Sequence, residues 1–341
     1  MTISCPNNIC FVGARGIYKY IFIIKLNNKI REGEAINNRF MDRLGKWRQF
    51  LLSPNLVGWL MCMPALVFGV LFFLVPAFVG FLISLYDWDG VTSMTFIGLD
   101  NYIEVFKIHR YWNAMLVNWL TFFGCLLTQI PLALFFAITL SKKSPIAKVY
   151  RSAIFAPRML SVAAAGLLWS LVFDPYEGPL NQLLEKIGLE SLTFSWLGEP
   201  NTALISLLIA SSWLYFGFHM IIFMGGLASI PKEYYESVQL DTNNGLMVLW
   251  YITIPLLREQ FLISFVIVFS GTFGALIGFF SLMTGGGPSG STELLGLYMV
   301  SQAFRANRFG YASAIGVITF FIVFIVLLWP VIQTSRKRLE Y

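Results

Sequence analysis

Six long apolar runs, separated by short polar segments, dominate this chain. No charged residue occurs from Pro54 to Tyr86, from Tyr111 to Ser141, or from Pro200 to Pro231. A helix rises about 1.5 Å per residue, so about 20 apolar residues cross the hydrocarbon core of a bilayer. The pattern predicts spans near residues 57–84, 114–139, 152–173, 203–227, 260–283 and 311–333. Backbone polar groups in lipid must be paired within the protein, so runs of this length read as helices rather than open sheet. Pro64, Pro76, Pro131 and Pro157 fall inside or near the ends of these spans, where kinks are tolerated if neighbouring helices or water satisfy the freed carbonyls. Arg158 lies close to one end of the third span, where its side chain can snorkel to the interface.

One polar insert stands apart from this frame. Ile230–Pro255 reads IPKEYYESVQLDTNNGLMVLWYITIP and mixes charge, aromatics and turn residues between the fourth and fifth spans. Pro231 suits a first helical turn, where its missing N–H costs little. Lys232 to Asp241 then forms a short helix with Tyr234, Tyr235 and Val238 toward one side. Asn243-Asn244-Gly245 makes a turn, and Leu246 to Tyr251 begins a second helical segment leading through Pro255 into the fifth span. Two readings of this helix-turn-helix stay open on physical grounds: a membrane-surface helix without a partner, or a docking element for a soluble protein.

Composition supports an all-α polytopic membrane protein. Of the 341 residues 57% are apolar and 12% charged, against about 45–50% and about 25% in an ordinary soluble domain. The Lys and Arg distribution orients the spans. With the N-terminus in the cytoplasm, inner segments carry eighteen of the 24 basic residues and outer segments five, with Arg158 inside a span. Both termini and the Ile230–Pro255 insert are then cytoplasmic, in a multi-pass protein of the cell membrane. The net charge of +6 suits anionic lipid headgroups rather than nucleic acid. The organisation expected is a cytoplasmic, partly flexible extension over residues 1–50, a six-span domain over 51–335 containing the 230–255 loop, and a basic cytoplasmic tail over 336–341. Within the extension, the run from Ile9 to Leu26 is too short and too charged to span; a signal peptide is the rival reading, without a clean cleavage site. Met41 begins MDRLGKWRQF, a natural start for a membrane protein, so residues 1–40 are expected to carry little function. In the outer segments, Leu183, Leu184 and Ile187 fit a short interfacial helix, and Trp112 and Trp196 fit interface aromatics.

The chemistry missing from the sequence narrows the function. No GxxxxGKS/T occurs, so no ATP is expected at a P-loop. Gly285-Gly286-Gly287-Pro288 reads as a tight extracytoplasmic turn. His109 and His219 are far apart, and Cys5 and Cys10 have no histidine nearby, so no metal centre is expected. His219 reads as a packed or cavity-lining polar residue. Paired carboxylates within the spans are missing, which argues against a cation-driven carrier.

The insert resembles the cytoplasmic loop of permease subunits of binding-protein-dependent ABC importers. That family's pattern is E-A-A, three residues, G, nine residues, I-x-L-P. Here Glu236-Ser237-Val238 takes the first place and Ile252-Thr253-Ile254-Pro255 the last. Asp241 matches the acidic residue before the glycine, and Thr242 replaces the glycine itself. Since glycine relieves the bend between the two helices, Thr242 implies a different turn or a bend shifted toward Gly245. A second block, Thr284 to Pro288 with Ser291-Thr292, Tyr298, Ala303-Phe304 and Gly310 to Ala314, is similar to sugar-type permeases, as is FIGLDNYIEVF from Phe96 to Phe106. The resemblance covers about residues 50–335.

It implies a non-catalytic subunit that forms a pore with a second homologous permease. Two ATP-binding cassette subunits, which use ATP and Mg, grip such loops, and an extracytoplasmic binding protein delivers the solute. This chain is expected to bind no cofactor itself. Glu236 is the expected polar docking contact, with Tyr234, Tyr235, Val238 and Leu246 as apolar anchors and Asp241, Thr242 and Pro255 shaping the loop. For the solute path, Ser211, Tyr215 and Phe218 share one face of the fourth span, and Thr272 in the fifth is a further candidate. Polar and aromatic groups together suit a sugar-like solute, though the same face can simply pack against another helix. A glycerol phosphate or polyol derivative is the alternative solute, and a stand-alone secondary carrier the alternative class.

Overall fold

The structure is a computed structural model describing residues 54–141, 144–241 and 244–337. The N-terminal extension, Thr242 and the end of the basic tail lie outside the described residues.

The chain divides at Pro76 into two units. The described part of the first begins with α1 (Pro54–Gly69), which passes through a π turn at Val70–Leu74. Helix α2 (Val75–Ile83) continues the apolar run into the second unit. Gly58–Ile83 is 26 residues long, and none of its most apolar window is buried. Trp59, Met61, Phe72 and Phe73 are all exposed, as suits a helix whose surroundings are acyl chains.

The second unit opens with a two-strand hairpin, β1 (Tyr86–Asp87) antiparallel to β2 (Thr95–Phe96). It then runs through α3 (Asp100–Lys107), α4 (His109–Thr139), α5 (Pro145–Phe155), α6 (Val162–Val172) and α7 (Pro179–Lys186) to α8 (Pro200–Ser229). After it come α9 (Lys232–Asp241), α10 (Gly245–Val248), α11 (Ile254–Leu256), α12 (Arg258–Phe273), α13 (Leu276–Met283), α14 (Leu295–Phe304) and α15 (Phe309–Lys337).

The longest helices form the centre. Helix α4 packs along α8, α12 lies against both and against α15, and α13 lies on α6. The buried residues include Phe122, Leu207, Ala210, Leu214, Phe223 and Phe269. Two small residues set how closely the backbones approach, as expected where lipid supplies no hydrophobic drive between helices. A Cβ on Gly124 would meet Leu208 at 2.6 Å, and one on Gly217 would collide with the backbone carbonyl of Ile154. Polar side chains lock the same seam: Thr128 Oγ1 and Ser212 Oγ are 2.6 Å apart.

Among the described residues four helices are long and apolar enough to cross a membrane, and counting each of two bent pairs as one span gives the expected six. The expected third and fifth spans need correction in shape. Residues 152–173 are not one straight helix: α5 and a 3-10 turn at Ala156–Met159 meet α6 at 100°. Pro157 lies in that turn, and Ser161 restarts the helix by accepting a hydrogen bond from the Ala164 N–H at 3.1 Å. Residues 260–283 belong to two helices, α12 and α13, separated by Gly274 and Ala275. A further bend of 67° separates Gly245–Leu256 from α12.

At the end away from α9, loops are tied down by buried polar groups. The Asn101 amide donates to the carbonyls of Ser84 and Tyr86, both at 2.9 Å. The Asn118 carbonyl oxygen accepts the Leu295 N–H at 2.9 Å. Asp174 accepts the N–H groups of Glu177 and Tyr176, which holds its carboxyl below the usual range. Leu183 and Ile187 are exposed around α7, consistent with an interfacial helix. The Trp196 indole N–H donates to Asn181 at 2.7 Å and its half-buried ring packs on the core. Gly285 and Gly286 take positive φ in the predicted turn.

Arg110 forks onto Glu293 through bonds of 2.8 and 2.7 Å. Glu293 is buried, whereas the Arg110 side chain is half exposed. Losing the two partners should therefore have unequal effects. Arg110→Ala strands a buried carboxylate and should lower stability by about 1.5–3 kcal/mol. Glu293→Gln leaves an arginine that water reaches and should lower it by less than about 1 kcal/mol. Thermal unfolding of the detergent-solubilised variants checks the order, and equal losses would refute this account.

Candidate functional site

Two regions hold the residues singled out from the sequence. The first is the helix pair α9–α10, which lies beyond the end of α8. Pro231 precedes α9, and Asn244 caps α10 by accepting the Leu246 N–H at 3.0 Å. A π turn at Leu249–Thr253 and Pro255 then lead toward α12. The expected helix-turn-helix is thus present on both sides of residues 242 and 243, and the bend at Thr242 itself lies outside the described residues.

The residues of this loop separate by exposure. Tyr234 and Leu246 are 51% and 68% exposed, and Glu236 and Pro255 are exposed too. Tyr235 and Val238 are half-buried. The Tyr235 hydroxyl lies 3.5 Å from Thr253 Oγ1, and its ring lines a cavity of about 940 Å³ between the loop and the ends of α4 and α8. Tyr235 therefore joins α9 to the π turn within the loop, while Tyr234, Glu236 and Leu246 are exposed. Asp241 ends α9.

The second region is a cavity of about 230 Å³ among α4, α8, α12 and the bend between α5 and α6. Tyr215 and Thr272, both singled out from the sequence, line it. Phe218 stands beside it, on the face shared with Tyr215. Ser211 does not line it: it is fully buried, donates to the Leu208 carbonyl at 3.1 Å and lies 3.8 Å from Cys125 Sγ in the α4–α8 seam. Thr272 is fully buried and donates its hydroxyl to Val268 at 2.8 Å, which leaves its oxygen lone pairs as acceptors.

The lining also contains Cys125, Gln129, Arg158 and His219. His219 meets the expectation of a cavity-lining polar residue. Arg158 was expected at the lipid interface and is found elsewhere. Its guanidinium carbon is 4.9 Å from the Tyr215 ring centroid and 5.9 Å from that of Phe218. The 100° bend turns the chain inward at this residue, so snorkelling is not its role. The signal was present in the sequence as a charge beside Pro157 in an apolar run, but the direction of the bend was not.

The fold and cavity define a multi-span α-helical permease with an appended helix pair at one end. Residues 129–339 match the family model described as binding-protein-dependent transport system inner membrane component. The probable ABC transporter permease protein YurN of Bacillus subtilis is 32% identical over 79% of this chain and 92% of its own length. The multiple sugar-binding transport system permease protein MsmF of Streptococcus mutans is 30% identical over 82% of this chain and 95% of its own length. In three dimensions the chain is similar to a subunit of a bacterial ABC transporter involved in import of the acidic polysaccharide alginate. That likeness has a TM-score of 0.72 at 19% identity and covers 86% of this chain and 99% of the other. The chain belongs to the family of binding-protein-dependent transport system inner membrane components. It is a membrane permease subunit of an ABC importer, built for transport rather than catalysis.

The packing makes one site residue testable through its neighbour. Gly217 lets the Ile154 carbonyl lie directly on α8, two residues from Tyr215. Gly217→Val should force the bend away and lower stability by about 1–3 kcal/mol. Thermal unfolding measures the loss, and a variant as stable as the parent would refute the close approach.

Proposed function

We propose that the chain imports a sugar or oligosaccharide as one of two homologous permeases, driven by two ATP-binding cassette subunits and supplied by an extracytoplasmic binding protein. The observation that carries this reading is the exposure pattern of the α9–α10 pair. Tyr234, Glu236 and Leu246 present a mixed polar and apolar surface outward, while Tyr235 ties α9 to the π turn that leads toward α12. Such a surface suits docking into a cleft of a soluble ATPase, with Glu236 making a charge-assisted contact at the rim. Asp241 at the end of α9 and Pro255 ahead of α12 shape the loop.

The basic residues support an orientation with both termini and this pair in the cytoplasm, where ATP and Mg reach the partner subunits. In this reading the ATP and Mg belong to the partner subunits and the chain itself binds no cofactor. Partner closure on ATP acts on the loop, and the differing contacts of the partners with inward- and outward-facing states bias the pore between them. The sugar class is supported by the aromatic and polar lining of the cavity and by the name of the Streptococcus relative. A glycerol phosphate or polyol is the second reading, favoured by the Arg158 guanidinium.

Co-expression of the whole importer tests the assembly. An ATPase subunit should co-elute with this chain, and solute-loaded binding protein should stimulate hydrolysis. Glu236→Ala should weaken ATPase association about tenfold or more, as expected for losing a hydrogen bond to a charged group. Undiminished association and transport would remove Glu236 from the interface. Solute transport by the isolated chain without an ATPase would overturn the reading as a whole.

A further inference from the structure

Arg158 holds a position that a neutral sugar does not explain. Cys125 and Gln129 lie near the middle of the 31-residue α4, and Tyr215 and His219 near the middle of the 30-residue α8. The cavity they line with Arg158 is therefore far from both ends of these spans. A charged side chain at such depth is costly unless it is paired or meets water or solute.

Other arginines near span ends have polar partners: Arg110 pairs with Glu293, Arg308 with Glu104, and Arg151 donates to the Leu140 carbonyl. Arg158 differs. No carboxylate lies within ion-pair distance of it among the described residues, and neither Asp nor Glu lines the cavity. Its guanidinium lies over Tyr215 and Phe218 instead. Ring faces steady a guanidinium without neutralising it, so its positive field is directed into the cavity.

A second observation points to a ligand at the same place. His219 Nδ1 is buried and has no hydrogen-bond partner among the described residues. Gln129 is also buried in the lining. A buried polar atom left this way calls for a water or a ligand. Positive charge, ring faces and neutral hydrogen-bonding groups thus converge on one small volume.

The geometry points to an anionic solute: a sugar or sugar-like polyol carrying a carboxylate or a phosphate, whose oxyanion pairs with Arg158 while its hydroxyls meet His219, Gln129 and Thr272. A planar guanidinium matches either oxyanion through two parallel N–H···O bonds. This inference rests on the permease reading above and specifies its substrate class.

The test uses the complete importer in proteoliposomes with its own binding protein and internal ATP. Three labelled probes are compared: a neutral oligosaccharide, a uronate oligosaccharide of the same length, and a sugar phosphate. Binding-protein affinity for each is measured separately. The expected result is that the binding protein holds an acidic probe and the wild-type importer takes it up at least tenfold faster than the neutral one. Uronate uptake assigns the carboxylate and sugar-phosphate uptake the phosphate. Arg158→Gln should lower uptake of that acidic probe at least tenfold, and Arg158→Lys should restore part of it, with assembly of each variant verified by size exclusion. A binding protein that holds only neutral sugars, or wild-type uptake that favours the neutral probe, overturns the proposal whether or not either variant folds. Failure of ATP-driven uptake for every probe that the binding protein holds would instead overturn the permease assignment.

Discussion

The seam between α4 and α8 positions most of what matters in the second unit. In lipid, two apolar helices gain nothing from water by meeting, so close packing and interhelical polar contacts must hold them. Gly124 admits Leu208, Thr128 meets Ser212, and Cys125 meets Ser211. The same helix α8 then uses Gly217 to admit the Ile154 carbonyl from the other side. That approach sets the end of α5 against α8, and the turn at Ala156–Met159 follows directly from it. Arg158 comes to rest over Tyr215 and Phe218 because both surfaces are carried by the same tightly packed helix.

The two sharp bends follow from the same rule about polar groups. A broken helix frees backbone carbonyls and N–H groups, and lipid cannot satisfy them. At the break between α5 and α6, Ser161 supplies a cap and Arg158 lines the cavity, while Met159 and Leu160 are exposed. The bend of 67° before α12 falls at Leu257, which is fully buried. Helix α12 begins next to the α9–α11 segment and ends with Thr272 in the cavity lining. It packs against α4, α8 and α15 along its length. One helix thus connects the segment that follows the outward-facing pair to the lining of the central cavity.

The sequence revealed some of this and hid the rest for definite reasons. The spans were legible because hydrocarbon excludes charge, and charge-free runs such as Tyr111 to Ser141 leave few alternatives. The helix pair at residues 230–255 was legible because proline, asparagine and glycine punctuate it. Bends were not, since a run of apolar residues looks the same whether straight or folded back; the third span was the casualty. Spacing alone also put Ser211 with Tyr215 and Phe218. Four residues along a helix is one turn plus about 40°, enough for Ser211 to enter the α4 seam while Tyr215 reaches the cavity. Arg158 was visible as an anomaly, but its neighbours come from α8, more than fifty residues away.

The energetics of that arginine explain why ring faces and a cavity occur together. A charged side chain at the middle of a span costs about 2.5–3.5 kcal/mol on insertion scales. Stacking on aromatic rings returns about 1–2 kcal/mol, which leaves a deficit that protein contacts do not close. The cavity of about 230 Å³ beside it is large enough to admit water, which can hydrate the guanidinium. A solute entering the cavity must displace some of that water. A neutral hydroxyl replaces a water hydrogen bond with one of similar strength and gains little. An oxyanion replaces it with a shorter, charge-assisted bond in a medium of lower dielectric, where attraction is stronger than in water. The lack of a carboxylate partner for Arg158 among the described residues is therefore what ties the proposed preference for an anionic solute to this cavity: an oxyanion would gain more there than the water it displaces, and a neutral hydroxyl would not.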